Sequence, residues 1–495
     1  MKTPRNIAAF ADSVAVFAVA AAVLCRRFLT GAGDCCHPES SAFLQNFTDP
    51  SRPLLQILYD PLRTDWNLYQ ARELASFFDW CDAQFIAFTI RHGHATFFSA
   101  VNALLVLAAA MVLHTGFRRW MPKLGRWGAA LLALAFVLAP ASASSSAFFR
   151  SSKPLTSLGI AVAGISLWSL VLRRNGALRE QLGAWSAFGI SLFLLPYCDR
   201  QGLFAAAVFA MAGAAFLGLF SLRRQAEFFG VSDSDRKRLA VAVGIASLAV
   251  VAATIYNLEI APRLICRLNG YRPSFEYQNV GTGGGINPVG GCLYFFDNIG
   301  FTLCGISGAF AATAGVAALS LWIFCCRKRI LRGPGGWLLL LLVAGSCAAM
   351  AVSACMMTGR HALILRSDVI HSAYFMPFVV VLILLAAVTA EMWGDTLSRK
   401  RFLLPVAAAA VLAFHGVGML LPQPPQEEML RFYIDSSPEL IRCLNDPGRD
   451  AERVPLPYSY LKLIEHFRTL HKTPSACSPG RVRTLLPKQD PKEFL

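Results

Sequence analysis

The sequence predicts an all-α, polytopic integral membrane protein with about 11 transmembrane helices. Composition is the first ground. Of 495 residues, 55% are hydrophobic and only 15% are charged, and the mean hydropathy is +0.49. A soluble domain carries about 25% charged residues. The second ground is length: apolar runs of about 18–22 residues, enough to cross a bilayer, recur along the chain. The third is the placing of charge. The formal net charge is +16, but the positives do not form one patch of the kind that binds nucleic acid. They recur in short clusters between apolar runs, which is the orientation signal of a multi-pass protein.

Eleven runs lie near 8–25, 97–115, 127–148, 154–172, 183–197, 202–222, 239–256, 299–325, 337–357, 371–391 and 402–421, the fifth being short. Arg118/Arg119/Lys123/Arg126, Arg173/Arg174/Arg179, Arg223/Arg224/Arg236/Lys237/Arg238, Arg327/Lys328/Arg329/Arg332 and Arg399/Lys400/Arg401 fall in every second loop. With Lys2 and Arg5 they put the N-terminus in the cytoplasm and the C-terminal tail outside, in a cytoplasmic (inner) membrane. Arg26 and Arg27 oppose this locally, and the summed bias outweighs that pair. The first run has the basic start of a signal peptide. "AAVLCRRF" lacks small residues at the cleavage positions, so it reads as an uncleaved helix.

Three segments are not spans: a first outer loop at 26–96, a second at 257–298 and a tail at 422–495. In the first, "DPSRPLLQILYDP" is bracketed by prolines and reads as a short broken helix. Asp65 then precedes a helical pattern that it can N-cap, with Tyr69, Glu73, Phe77 and Trp80 on one face and Asp79 and Asp82 three residues apart. Trp66, Tyr69, Phe78, Trp80 and Phe85 suit the membrane interface, so this helix should lie along the surface. The tail's "EEMLRFY" and "YSYLKLIEHFRTL" read as amphipathic helices capping the outer face. Fourteen cysteines show no CxxC spacing; Cys266 with Cys292, and Cys443 with Cys477, share outer segments and are disulfide candidates.

Carboxylates among aromatics serve as solvated charges, as partners for Arg63 and Arg72, or as working groups in a cavity. The short outer loops favour the last. "FFRSSKP" offers Arg150 and Lys153, "YCDRQG" offers Asp199 and Arg200, and "TGRHALILRSDVIH" offers Arg360, His361, Arg366, Asp368 and His371. Charge at a span mouth is tolerated far better than at the bilayer centre. One carboxylate-rich loop facing several cationic ones suits a lipid-linked phosphate. Cations hold it and stabilise it as a leaving group. A carboxylate takes a proton from an incoming hydroxyl or helps hold a divalent ion. An apolar groove between spans takes the lipid tail.

Other patterns carry less. In "RHGH", His92 and His94 point to different helix faces with no adjacent third metal ligand. "GTGGG" lacks the Gly-Lys-Ser of a phosphate loop. Asp12 lies in the first run, where it can cap, snorkel or relay protons. Asn46–Thr48 is a glycosylation sequon by pattern.

"DWNLYQARELASFFDWCDAQF" after a first span, the short "FFRSSK" loop and "DRQG" between two spans resemble the polytopic glycosyltransferases of the GT-C superfamily and related bacterial membrane proteins. The likeness covers roughly residues 1–220 in layout. It implies a GT-C-like fold with interfacial helices in the first outer loop, an essential acidic residue there and a polyprenyl-phosphate sugar donor. That family often carries a tight acidic pair near the end of the first span, whereas here Asp60 and Asp65 are separated. Asp65 leads the candidates for the base by its place ahead of the surface helix, followed by Glu73 and Asp60. Arg150, Lys153, Asp199, Arg200, Arg360, His361 and Arg366 form the phosphate- and substrate-binding set. A divalent cation, Mg2+ or Mn2+, is the one cofactor these carboxylates suggest. The expected reaction moves a sugar from the lipid phosphate to a hydroxyl on an outer-face acceptor. A polymerase or ligase of lipid-linked glycans would lean on Arg360, His361 and Arg366 instead. A transporter of an anionic solute would show paired halves and midspan charge, and few such signs are present.

Overall fold

The computed structural model describes residues 5–30, 38–60, 68–69, 72–139, 141–142, 151–172, 178–228, 231–271, 274–275, 313, 317, 375–393, 428–446, 448 and 456–471. The expected runs at 299–325, 337–357 and 402–421 lie outside these residues apart from the isolated positions 313 and 317.

Helix α1 spans Arg5–Thr30, and three short elements follow in the first loop: α2 (Pro38–Phe47), α3 (Leu54–Tyr59) and the two-residue strand β1 (Leu68–Tyr69). Helix α4 (Glu73–Arg91) leads into α5 (Ala100–Trp120), a 3-10 turn at Pro122–Leu124 and α6 (Gly125–Leu138). Then come α7 (Ser152–Leu172), α8 (Leu178–Cys198), α9 (Arg200–Ser221), α10 (Arg223–Phe228) and α11 (Asp233–Ile255). A π-helical turn at Tyr256–Ile260 joins α11 to α12 (Ala261–Asn269), and strand β2 (Ser274–Phe275) pairs in parallel with β1. The remaining helices are α13 (Met376–Trp393), α14 (Glu428–Asn445) and α15 (Tyr458–Leu470).

Among the described residues, five helical runs are long and apolar enough to cross a membrane: Ala100–Trp120, Ser152–Leu170, Gln181–Cys198, Arg200–Ser221 and Asp233–Asn269. Large apolar side chains such as Phe17, Leu104, Ile190, Met211 and Leu248 are exposed on the bundle surface. Apolar surface on that scale marks a membrane-facing protein. Inside, Ala109, Ala110, Ala133, Ala161, Ala242 and Ala246 are buried alongside Phe117, Phe136 and Phe188. Small residues let helix backbones approach closely where lipid offers no hydrophobic drive. Helix α1 adds Val16, Ala20 and Leu24 to this core. Its Asp12 lies 3.3 Å from Arg118 and 3.5 Å from His114 of α5, so that residue is a polar staple between two helices.

Two helices depart from the expected boundaries. The third run is expected over 127–148; α6 breaks after Leu138, residues 141–142 are helical again, and 143–148 lie outside the described residues. Ala139 has ψ 139° because it precedes Pro140, whose ring disfavours the α conformation in the residue before it. The seventh run was expected to end at 256, but the helix continues through the π turn to Asn269. Ser232 caps its start by a reciprocal box with Asp235, and Gly270 closes it in the left-handed region at φ 78°.

A second core lies beyond the bundle. Phe43, Leu44 and Phe47 of α2 and Ala83, Ile86 and Ile90 of α4 are buried against Leu440 and Cys443 of α14 and Tyr460, Leu463 and Phe467 of α15. The tail is therefore packed on the first loop. Polar ties fix the register: Asn445 accepts from the Ala95 N–H at 2.6 Å, and Gln84 donates to the Phe47 carbonyl at 2.8 Å. The sequon's Thr48 is buried, 2.8 Å from His466 Nε2 of α15, and so serves this docking. Cys266 is exposed and Cys443 is buried, and their suggested partners Cys292 and Cys477 lie outside the described residues.

Candidate active site at the mouth of the bundle

Helix α4 begins at Glu73, with Arg72 in the N-cap position, and not behind Asp65 as expected. Leu68 and Tyr69 are drawn into extended pairing with Ser274 and Phe275, so Tyr69 is not on the helix. Asp65 itself lies outside the described residues. The helix is polar on its inner side. Asp79 and Asp82 are buried, while Phe77, Phe85 and Phe88 are 38%, 41% and 59% exposed.

The two inward carboxylates hold other helices. Asp79 accepts from the Ser151 N–H at 3.3 Å, just ahead of α7, while the Ser151 hydroxyl donates to the Ala75 carbonyl at 2.9 Å. Asp82 accepts from the Val101 N–H at 3.3 Å, in the first turn of α5. Carboxylates suit helix N-termini, whose first N–H groups lack intrahelical partners. Burial pushes Asp79 up to about 7 and Asp82 up to about 6, against the pull of their hydrogen bonds to Ser151 and Ser99.

Beside this joint, the elbow between α8 and α9 presents Asp199. Its extended backbone makes it the N-cap of α9, and its side chain accepts from the Gln201 N–H at 3.0 Å. The other oxygen meets Lys153 Nζ at 2.9 Å and Arg72 Nε at 3.5 Å. The Asp199 and Lys153 side chains are only 2% and 5% exposed, whereas Arg72 is 26% exposed. Burial alone would raise the Asp199 carboxyl; Lys153 and Arg72 outweigh it and hold the group below the usual carboxylate range. Of the two cations on this carboxylate, Arg72 is the more accessible.

The elbow needs Gly202. A Cβ there would lie 2.2 Å from the Leu195 carbonyl oxygen, a backbone atom that cannot move alone. Gly202→Ala is expected to cost about 1–3 kcal/mol, the price of overpacking. A melting temperature equal to that of the parent protein would contradict it.

Glu73, next to Arg72, turns the other way. Its Oε1 accepts from the Tyr256 hydroxyl at 3.4 Å, and that hydroxyl shares a short hydrogen bond with Tyr59. The Tyr197 ring packs edge-on against Tyr256 with centroids 5.1 Å apart. Asp60 ends α3 and is committed locally: Arg52 lies 3.4 Å from its carboxylate and donates to its carbonyl at 3.0 Å, and Tyr271 hydrogen-bonds its side chain. Arg200, half-buried, opens α9 beside Asp199.

Of the expected site residues, Glu73, Lys153, Asp199 and Arg200 therefore gather around the start of α4 and the α8–α9 elbow, with Asp60 following Tyr59 at their edge. Arg150, Arg360, His361 and Arg366 lie outside the described residues. Sequence reasoning treated Arg72 as an ordinary partner for a carboxylate and passed over Tyr59, Tyr197 and Tyr256, because tyrosines at span ends read as interface anchors. Among the described residues, no three His, Cys, Asp or Glu side chains gather as a metal site. His92 packs on Phe88 at 4.2 Å with Nδ1 2.8 Å from the Phe88 carbonyl, and so closes α4.

An apolar groove of about 500 Å³ runs between α8 and α11, lined by Ser186, Gly189, Ile190, Phe193, Leu194 and Ile245. Its α8 residues recur at helical spacing, and the next position on that stripe is Tyr197. The groove thus points at the polar cluster.

The fold and site define a multi-pass helical membrane protein with a buried polar cluster under a loop-and-tail cap. No family model and no curated protein matches the chain. Among solved structures it is similar to ArnT from Cupriavidus metallidurans bound to undecaprenyl phosphate, at a TM-score of 0.47 and 14% identity, over 94% of this chain and 76% of that one. The apo state of the same protein gives a TM-score of 0.45 at 14% identity over the same shares, 94% and 76%. The oligosaccharyltransferase of Archaeoglobus fulgidus, in complex with zinc and sulfate, gives 0.36 at 11% identity, over 94% of this chain and 62% of that one.

Proposed function

We propose that the protein is a glycosyltransferase that moves a sugar from a polyprenyl-phosphate donor to a hydroxyl acceptor at the outer face of the cytoplasmic membrane. The observation that carries this reading is the adjacency of Arg72 and Glu73. The first joins the cationic cluster with Lys153 and Asp199, and the second is a carboxylate among hydroxyls. A phosphate leaving group and a hydroxyl nucleophile need those two environments side by side.

In the reaction, the acceptor oxygen attacks the anomeric carbon. The bond from that carbon to the phosphate oxygen breaks, and its electron pair stays on the phosphate. Arg72 faces the new charge, held in place by Asp199, while Lys153 offsets the charge of Asp199 from within. Glu73 takes the acceptor's hydroxyl proton. The apolar groove below Tyr197 takes the lipid tail.

The test is release of polyprenyl phosphate from a polyprenyl-phosphate hexose by full-length protein in nanodiscs, read by mass spectrometry across a panel of hydroxyl acceptors. Glu73→Gln is expected to lower turnover by about 10²–10⁴-fold without lowering the melting temperature. Asp65→Asn, the variant that the sequence puts first, is run beside it. Parent-like turnover in Glu73→Gln would remove Glu73 from the chemistry.

A further inference from the structure

The run from Asp233 to Asn269 is α-helical except for one π turn, at Tyr256–Ile260. Such single-turn insertions cost hydrogen-bond geometry and recur at functional sites. This one starts on the residue whose hydroxyl reaches Glu73. Ile255, Leu258 and Ile260 are exposed on the bundle surface around Tyr256, while Asn257, within the turn, is buried.

A tyrosine serving only as an interface anchor sends its hydroxyl to water. Tyr256 does not. Its hydroxyl lies between the Glu73 carboxylate and the Tyr59 hydroxyl, and its ring rests against Tyr197. These three partners come from α4, α3 and α8, all far from Tyr256 in the sequence. A hydrogen bond to a charged group is worth more than a neutral one and favours one geometry.

We propose that Tyr256, steadied by Tyr59 and aimed by the π turn, is a positioning residue that fixes the orientation of the Glu73 carboxylate toward the acceptor hydroxyl. This rests on the reading of Glu73 as the proton acceptor. Tyr256 forms no bond to substrate; it holds the group that takes the proton.

The test keeps the ring and removes one oxygen. In full-length protein in nanodiscs, the infrared carboxylate band of Glu73 is isolated by subtracting the Glu73→Gln spectrum. Tyr256→Phe is expected to shift that band, and Tyr59→Phe to shift it less. In the transfer assay, Tyr256→Phe should lower kcat by roughly 10-fold or more, the size of one hydrogen bond to a charged group, with KM nearly unchanged. Adding it to Glu73→Gln should cost nothing further, because both act through one carboxylate. An unmoved carboxylate band in Tyr256→Phe overturns the proposal, as does a moved band with parent kcat. If the parent protein transfers no sugar to any acceptor, the glycosyl-transfer reading fails, and the infrared band still decides whether Tyr256 holds Glu73.

Discussion

Asp199→Ala is expected to leave little folded protein. The substitution takes the carboxylate away from Lys153, whose side chain is 5% exposed and whose ammonium lies 2.9 Å from it. Removing one partner of a buried pair costs about 3–5 kcal/mol, because the buried charge that remains loses its compensation. The N-cap of α9 is lost with it, for about 1 kcal/mol more. Together these approach the net stability of a typical domain. The control is the double variant Asp199→Asn with Lys153→Met, which keeps a capping oxygen and removes the buried ammonium. It should melt well above Asp199→Ala. Acid should not imitate the mutation. A carboxyl held below its ordinary range stabilises fully above its unfolded value of about 3.9, and the contribution fades only as pH falls through the lower folded value. At pH 5 the elbow should therefore be intact. Melting of Asp199→Ala within about a degree of the parent protein would defeat this account.

That Lys153 and Asp199 meet was legible because short loops between long apolar runs leave their charges few other places to go. The spans themselves were legible for the same reason: length and hydropathy act over about twenty residues, and no tertiary contact overrides that sum. What failed was local. Asp65 looked like a helix cap because "TDWNLYQARELASFF" has helical periodicity throughout, yet Leu68 and Tyr69 pair with Ser274 and Phe275, some two hundred residues away. Nothing within the stretch announces that partner. The shortened α6 was readable in principle, since Pro140 stands in the sequence. The inward face of α4 was not. Exposed phenylalanines and buried aspartates invert the usual amphipathic pattern, and only the helix N-termini that need the carboxylates explain it. The tyrosines around Glu73 stayed hidden because a tyrosine at a span end serves as an anchor far more often than as a positioning group.

That inverted face gives the last expected result: the cap over the site should loosen as pH rises toward neutrality, and Asp79→Asn should prevent it. Burial raises Asp79 from its ordinary 3.8 to about 7 and Asp82 to about 6. Between those limits the folded protein binds more protons than the unfolded chain, so stability falls with rising pH. The loss begins near the ordinary carboxylate value and is complete once pH passes the raised one. Its size is on the order of a few kcal/mol if Asp79 alone sets it. The sign is opposite to that of Asp199, which makes the two separable in one pH series. Asparagine keeps an oxygen to accept from the Ser151 N–H at 3.3 Å but has no charge to bury. Asp79→Asn should therefore match the parent protein only near pH 4 and below, exceed it at pH 8 and flatten the slope between. Asp79→Leu, which offers no acceptor, should melt below both at every pH, because the N–H ahead of α7 is left buried and unmet. Hydrogen exchange over Glu73–Arg91 reads the effect where it arises: protection that falls with pH in the parent protein and stays level in Asp79→Asn. A slope that is identical in the two proteins would show that Asp79 is ionised throughout, and that α4 is held to α7 by a charge the fold tolerates.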